Sequence, residues 1–459
     1  MTGDRAIVPA PAPERPGKAA GRVAGRAADP ATVSRNSLTV GAGLVLLGVS
    51  ATVYLVLSAR AVGPREFASL STLWTLVYTF GIGAFLPFEQ ELGRAVARRT
   101  VLGQGAGPVA ARTAVVAGVV LVTLLVALGV AAPLFVDRLF GGQSALLIAL
   151  AVAMVAMAAQ YLTRGLFSGT GRFGWYSAQL GLEGLVRIGG CLALFVVGVH
   201  TAGPYAWVLA AAPMASLMLT VPGAGRGLRS GPPARWAEVS VNLGWLLISA
   251  ICAQAVANAA MVALQLLAPH SDTAGRFLAA FVIARIPLFL FQAVQATLIP
   301  GLARALAARD HARFRRELSR VLLVTGLVGA AGVAGAAALG PWALRLAFGP
   351  AFDLGRLDIV VLALSTGLYM LALVFQAGLV AMERHRVNAA GWSLALTSFA
   401  AMCLIPLPAL VRVESALVLS CSVAVGLLGM WLIRGTRRTL DGGEARTPAI
   451  APDQRSGRV

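Results

Sequence analysis

Charge is what this chain has least of. Only 12% of its 459 residues are Asp, Glu, Lys or Arg, against roughly 25% in soluble domains. With 58% hydrophobic residues and a mean hydropathy of +0.79, a water-soluble globular fold is excluded. The composition is that of a polytopic membrane protein. Cysteine is scarce too. Cys191, Cys252, Cys403 and Cys421 all fall inside apolar runs and form no CxxC, which excludes a disulfide framework or a zinc site. His200, His270, His311 and His385 lie in loops and form no HExxH. No metal or cofactor is implied. Acidic residues number 19 against 38 basic ones, a net charge of +19. Nucleic acid is not the expected partner, because the basic residues sit in short loops and tails between apolar runs, as the positive-inside rule requires.

What is present is a series of apolar runs long enough to span a bilayer. Six cover about 38–60, 67–88, 113–136, 144–163, 178–199 and 203–222, and six more about 241–268, 277–300, 321–344, 357–381, 389–411 and 415–433. Each suits a hydrocarbon core of ~30 Å. With the N-terminus inside, 29 Lys and Arg fall in inner segments and 7 in outer loops, which predicts that both termini are cytoplasmic. Residues 1–35, rich in Pro, Ala, Gly and Arg, are expected to be a disordered basic tail rather than a signal peptide. Residues 434–459 read as a second such tail. The basic run 309–320 is expected to lie along the anionic inner leaflet.

The chain divides into lobes at 36–222 and 241–433, joined by a cytoplasmic linker at 223–240. The two halves repeat. Phe67, Leu92 and Arg94 match Phe277, Leu302 and Arg304, each 210 residues on. Pro133, Phe140 and Gly141 match Pro341, Phe348 and Gly349 at 208, and Gly165-Leu166 matches Gly378-Leu379 at 213. Six spans is an even number, so both halves face the same way. The predicted fold is therefore an all-α polytopic membrane protein of about twelve transmembrane helices. They form two six-helix lobes related by a parallel pseudo-two-fold repeat, a layout typical of transporters with a site between the halves.

The motifs "ARAVGPREFA" after span 1, "FLPFEQELGRAVARR" at the end of span 2, "LFG" after span 3 and "GLFSGTGRFGWYSA" after span 4 follow one another in order. In these the chain resembles the polysaccharide-transport branch of the multidrug/oligosaccharidyl-lipid/polysaccharide exporter superfamily, over most of residues 36–435. The resemblance implies a flippase of the bacterial plasma membrane. Its two lobes would form a V around a central cavity and carry a polyprenyl-pyrophosphate-linked glycan from the inner to the outer leaflet. It also implies a glycan polymerase and glycosyltransferases as partners alongside the bilayer, and a cationic cavity that includes an arginine of the eighth span.

Three charged residues lie well inside the predicted spans: Glu183, Arg187 and Arg285. Intramembrane ionisable groups face a bundle interior or a wet cavity. Glu183 and Arg187, four apart on one helix face, can pair directly, so a structural bridge and a substrate contact stay equally open. Arg285 has no acid within a turn on its own helix. It is expected to line a hydrophilic cavity between the lobes and to take a lipid pyrophosphate through bidentate hydrogen bonds. Gln292 continues its face. Gln254, Asn258 and Gln265 share a face of span 7 and would meet sugar hydroxyls or glue helices together. Glu89, Glu91 and Arg94, at the inner end of span 2, read as a gate or headgroup contact, or as a solvated helix end. A cation-coupled multidrug exporter of the same superfamily is the alternative. It needs an acid inside a lobe, and Glu183 is the only acid well inside any predicted span. A membrane glycan polymerase or ligase fits less well, because the outer loops are short and lack paired carboxylates.

Overall fold

The computed structural model describes residues 30–225, 228–234, 236, 243–268, 272–288, 291, 302 and 310–444. Gln292, Arg304 and most of 292–309 lie outside them. Among the described residues the regular secondary structure is all helical, with no strand. In chain order the helices are α1 (Pro30–Val101), α2 (Gly107–Val130), α3 (Ser144–Gly169), α4 (Phe173–Val197), α5 (Ala202–Gly225) and α6 (Leu243–Leu267), then α7 (Asp272–Ala284), α8 (His311–Phe348), α9 (Arg356–Ala381), α10 (His385–Cys403) and α11 (Ala409–Glu444). Among the described residues nine helices are long and apolar enough to cross a membrane. The first of them, α1, is two spans merged across a kink at Gly63, whose φ of 75° and ψ of 171° are non-helical. Pro64 then starts the second arm. The less apolar α10 answers to expected span 11, and α7 covers the first part of expected span 8, the rest of which lies largely outside the described residues.

The same pairings recur in each half. In the first, α3 packs on α1, on α5 and on α2, while α4 packs on α1 and α5. In the second, α9 packs on α7, α11 and α8, while α10 packs on α6 and α11. Burial follows the repeat. The apolar stretches of α2 and α8 are each 11% buried and leave their outer surfaces to lipid, whereas α3 and α9 are each 56% buried at the lobe centres. Backbone conformation follows it as well. Thr170, Gly171 and Arg172 close α3, and Met382, Glu383 and Arg384 close α9 with nearly the same dihedrals. The capping bonds match one for one. Arg172 N donates to the Phe167 carbonyl (2.8 Å) and Arg384 N to that of Leu379 (2.9 Å). This fixes the offset here at 212. The Gly-Leu match read from the sequence at 213 is therefore one residue out, an identity of common residues rather than of position.

Two expectations change. The basic run 309–320 does not form a separate surface segment. From His311 it is the first part of α8, begun by Asp310, whose carboxylate accepts from Arg313 N at 2.8 Å. At 1.5 Å per residue α8 is about 57 Å long, so its basic end projects beyond the ~30 Å core. Span 11 stops at Cys403 rather than 411, because Pro406 and Pro408 break the helix within an apolar stretch. The described part of the 223–240 linker is fastened to the first lobe. Gly107 N donates to the Arg229 carbonyl (3.0 Å), Arg99 to that of Pro232 (3.0 Å), and Arg112 stacks on Trp236 at 4.9 Å.

The lobes meet where α1 runs against α6, α7 and α8. Gly275 lets α7 touch the kink of α1, since a Cβ there would collide with the Pro64 carbonyl. At the end away from the tails, Arg60 donates to the carbonyls of Ala347 (2.6 Å) and Leu346. These are orphan acceptors at the C-terminus of α8, where the helix dipole favours a cation. Phe67 packs edge-on against Phe352 beside them, 5.7 Å between ring centres.

Candidate functional site

Each lobe holds a polar centre built on its inner helices. In the first lobe Glu183 and Arg187 pair along α4 at 2.5 Å. The second Glu183 oxygen accepts from Arg164 (2.9 Å) and Gln160 (2.8 Å), both on α3. Arg187 reaches Ser50 on the first arm of α1 (3.1 Å) and lies over the rings of Trp74 and Tyr78 on the second. Gln160 also donates to Ser216 on α5 (2.8 Å). Glu89 joins the group by accepting from Tyr176 Oη at 2.7 Å. All four charged groups are buried. Two carboxylates balance two guanidiniums, and the arrangement ties both arms of α1 to α3, α4 and α5. It is a closed network in which both Glu183 oxygens are already engaged.

Hydropathy ends span 4 at 163 and leaves Arg164 in an inner loop; the structure places it inside α3. The helix runs on to Gly169 and stops at Gly169-Thr170-Gly171, a glycine stop signal of the usual kind. Glu89, read as part of a gate, turns inward to Tyr176 instead. Glu91 and Arg94 pair with each other (2.5 Å), Glu91 buried and Arg94 half exposed.

In the second lobe Arg285 follows the described end of α7, two residues before Pro287, which cannot donate to the helix. Its guanidinium donates to Asn258 Oδ1 (3.1 Å) and to the Ala257 carbonyl, and it stacks on Phe281 at 4.0 Å. Asn258 in turn donates to the Gln254 carbonyl at 3.1 Å. Gln254 faces Gly83 of α1 at the lobe interface. The structure thus brings Gln254, Asn258 and Arg285 into one ladder that leads from the interface into the lobe. Arg285 was expected between the lobes. It lies instead inside the second lobe, on a cavity of about 10 Å³ walled by Ala257, Phe281, Ser365, Thr366, Tyr369 and Cys421. That is room for about one water. The amide oxygen of Asn258 and the Ala257 carbonyl hold the guanidinium inside the lobe. Among the described residues no carboxylate lies within ion-pair distance of Arg285. Gln265 is buried away from this ladder, with its Oε1 unbonded.

Glu414 is a second residue that the sequence reading missed. The early end of span 11 places it inside α11, where it is buried with Oε1 unbonded. Glu183 is therefore not the only acid within a helix of the bundle, a correction that Pro406 and Pro408 could have signalled.

No family model matches the chain. It is 27% identical over 424 residues to the uncharacterized protein Rv1510 of Mycobacterium tuberculosis, covering 88% of this chain and 93% of that one. It is 26% identical over 405 residues to the uncharacterized protein Mb3654 of Mycobacterium bovis, covering 86% and 92%. Among solved structures, a multidrug resistance MATE family transporter of the MOP superfamily in an inward-facing conformation is similar in fold, with a TM-score of 0.66 at 13% identity over 88% of this chain and 96% of that one. A MOP superfamily transporter from Pyrococcus furiosus, described as having a binding pocket of reversed polarity that suggests a different function, gives 0.59 at 12% identity over 91% and 99%. The fold of this chain is that of MOP-superfamily transporters such as the MATE proteins. It is a multi-pass membrane fold.

Proposed function

We propose that the chain is an alternating-access transporter whose cargo is a polyprenyl-pyrophosphate-linked oligosaccharide or polysaccharide precursor, moved from the inner to the outer leaflet. The observation that carries this reading is Arg285, a guanidinium within a membrane-spanning lobe whose partners are an amide oxygen and a backbone carbonyl. A cation kept without a carboxylate at such depth costs several kcal/mol, ~2.5–3.5 on the insertion scale. An anionic headgroup offsets that cost. Gln254 and Asn258 sit between Arg285 and the lobe interface and supply donors and acceptors for sugar hydroxyls. The cavity at rest holds no more than a water, so the cargo reaches Arg285 only when the lobes part and the second lobe also opens along Gln254 and Asn258. The first-lobe network keeps α1, α3, α4 and α5 together as one rigid unit during that movement.

A cation-coupled multidrug exporter is the second reading, and Glu414 is what favours it, as a buried carboxylate with a free oxygen. Glu183 does not serve that role, because two guanidiniums already occupy it. Depleting the chain in its host and probing the surface for newly exposed lipid-linked glycan separates the readings. The flippase predicts that the glycan stays on the inner leaflet and drug accumulation is unchanged. Normal glycan exposure, with drug accumulation that depends on a cation gradient, would replace it by the exporter.

A further inference from the structure

A cleft of about 450 Å³ opens at the end of the second lobe away from the tails, lined by Ala338, Pro341, Trp342, Arg345 and Leu346 of α8 and Arg356 at the start of α9. Its chemistry is divided. Trp342 is 63% exposed, and Leu339 and Leu346 beside it are similarly open, on the helix that is among the least buried of the bundle. These side chains face lipid. The two arginines lie at the polar end of the same surface. Arg345 is held only loosely by Asp353, at 3.4 Å with both side chains more than half exposed, and among the described residues Arg356 has no acid within ion-pair distance. No acid lines the cleft itself. Both arginines are among the seven basic residues that the charge pattern leaves outside, against the trend of the other 29. Two guanidiniums above an aromatic and aliphatic wall match a phosphate on acyl chains, with the fork of each arginine suited to phosphate oxygens and Trp342 at the interfacial level where indole rings settle.

We propose that this cleft binds an anionic phospholipid of the leaflet away from the tails, its phosphate between Arg345 and Arg356 and a chain along Trp342 and Leu346. The location has a consequence for the lobes. Leu346 lines the cleft with its side chain while its carbonyl accepts from Arg60 of the first lobe. A lipid seated there steadies the turn of α8 that joins the lobes at this end.

The test is retention of lipid by the full-length protein, reconstituted in nanodiscs of equal phosphatidylglycerol and phosphatidylcholine and then released for native mass spectrometry. Phosphatidylglycerol should be retained in preference. The preference should fall about fivefold in Arg356→Gln and about thirtyfold in Arg345→Gln/Arg356→Gln. Trp342→Ala should lower retention of both lipids. Should the double variant lose its monodisperse profile, Arg356→Gln alone decides, since it breaks no ion pair. Equal retention of the two lipids, or a preference unchanged by Arg356→Gln, overturns the proposal. So does displacement of phosphatidylglycerol by millimolar inorganic phosphate with the chains making no difference, which would make the cleft a site for a soluble anion.

Discussion

Replacing Glu183 by glutamine keeps its size and removes its charge. Glu183 accepts from Arg187, Arg164 and Gln160 at 2.5, 2.9 and 2.8 Å, so the change leaves two buried guanidiniums facing the single remaining carboxylate of Glu89. Stranding a buried charge by removing its partner costs ~3–5 kcal/mol. Removing Arg187 at the same time restores the balance of one carboxylate, Glu89, to one guanidinium, Arg164. The double variant Glu183→Gln/Arg187→Met should therefore recover most of the loss, because replacing a whole buried pair is often close to neutral. Purified variants compared by thermal unfolding in detergent, together with their abundance in the membrane, give the double-mutant cycle. Glu183→Gln should lower the unfolding temperature sharply, and the double variant should lie near the wild type. Additive losses, or a Glu183→Gln protein as stable as the wild type, would refute the closed network.

Glu383 is the one non-glycine among the described residues with positive φ, 57°, and it stands in the slot that Gly171 fills in the first half. Glu383→Gly should stabilise the protein by about 0.5–1 kcal/mol and Glu383→Val should destabilise it, since a β-branched residue fits the left-handed region worst; thermal unfolding reads both. In a background lacking the four native cysteines, Ser230→Cys at the tail end should label only from the cytoplasm and Ser144→Cys at the opposite end only from outside. The reverse pattern would invert the topology drawn from the 29 and 7 basic residues.

The architecture was legible because it is written in long apolar runs and repeated. Phe67 and Phe277, Leu92 and Leu302, and Phe140 and Phe348 were matched by spacing, and each pair is buried. Gly141 and Gly349 share positive φ. The polar centres were only half legible. A hydropathy window ends a span at a charge, so it ended span 4 before Arg164, although the helix needs a glycine stop and reaches one five residues later. It also ran through Pro406 and Pro408, since leucine and isoleucine flank them, and so left Glu414 in a loop. Periodicity placed Glu183 beside Arg187, because four residues is one turn, and put Asn258 one turn after Gln254. Which neighbouring helix each side chain meets is a matter of tertiary packing. Thus Glu89 on Tyr176 and Arg285 on Asn258, one bond crossing 87 residues of chain and the other 27, could not be read from local pattern.

Arg285 tests the central claim most directly. Arg285→Ala and Arg285→Lys are measured side by side for protein in the membrane and for lipid-linked glycan exposed on the outer leaflet. The account predicts wild-type abundance for both, with export abolished by alanine and partly restored by lysine, which keeps the charge and loses the bidentate fork. An alanine variant that exports normally, or one that disappears from the membrane, would contradict it.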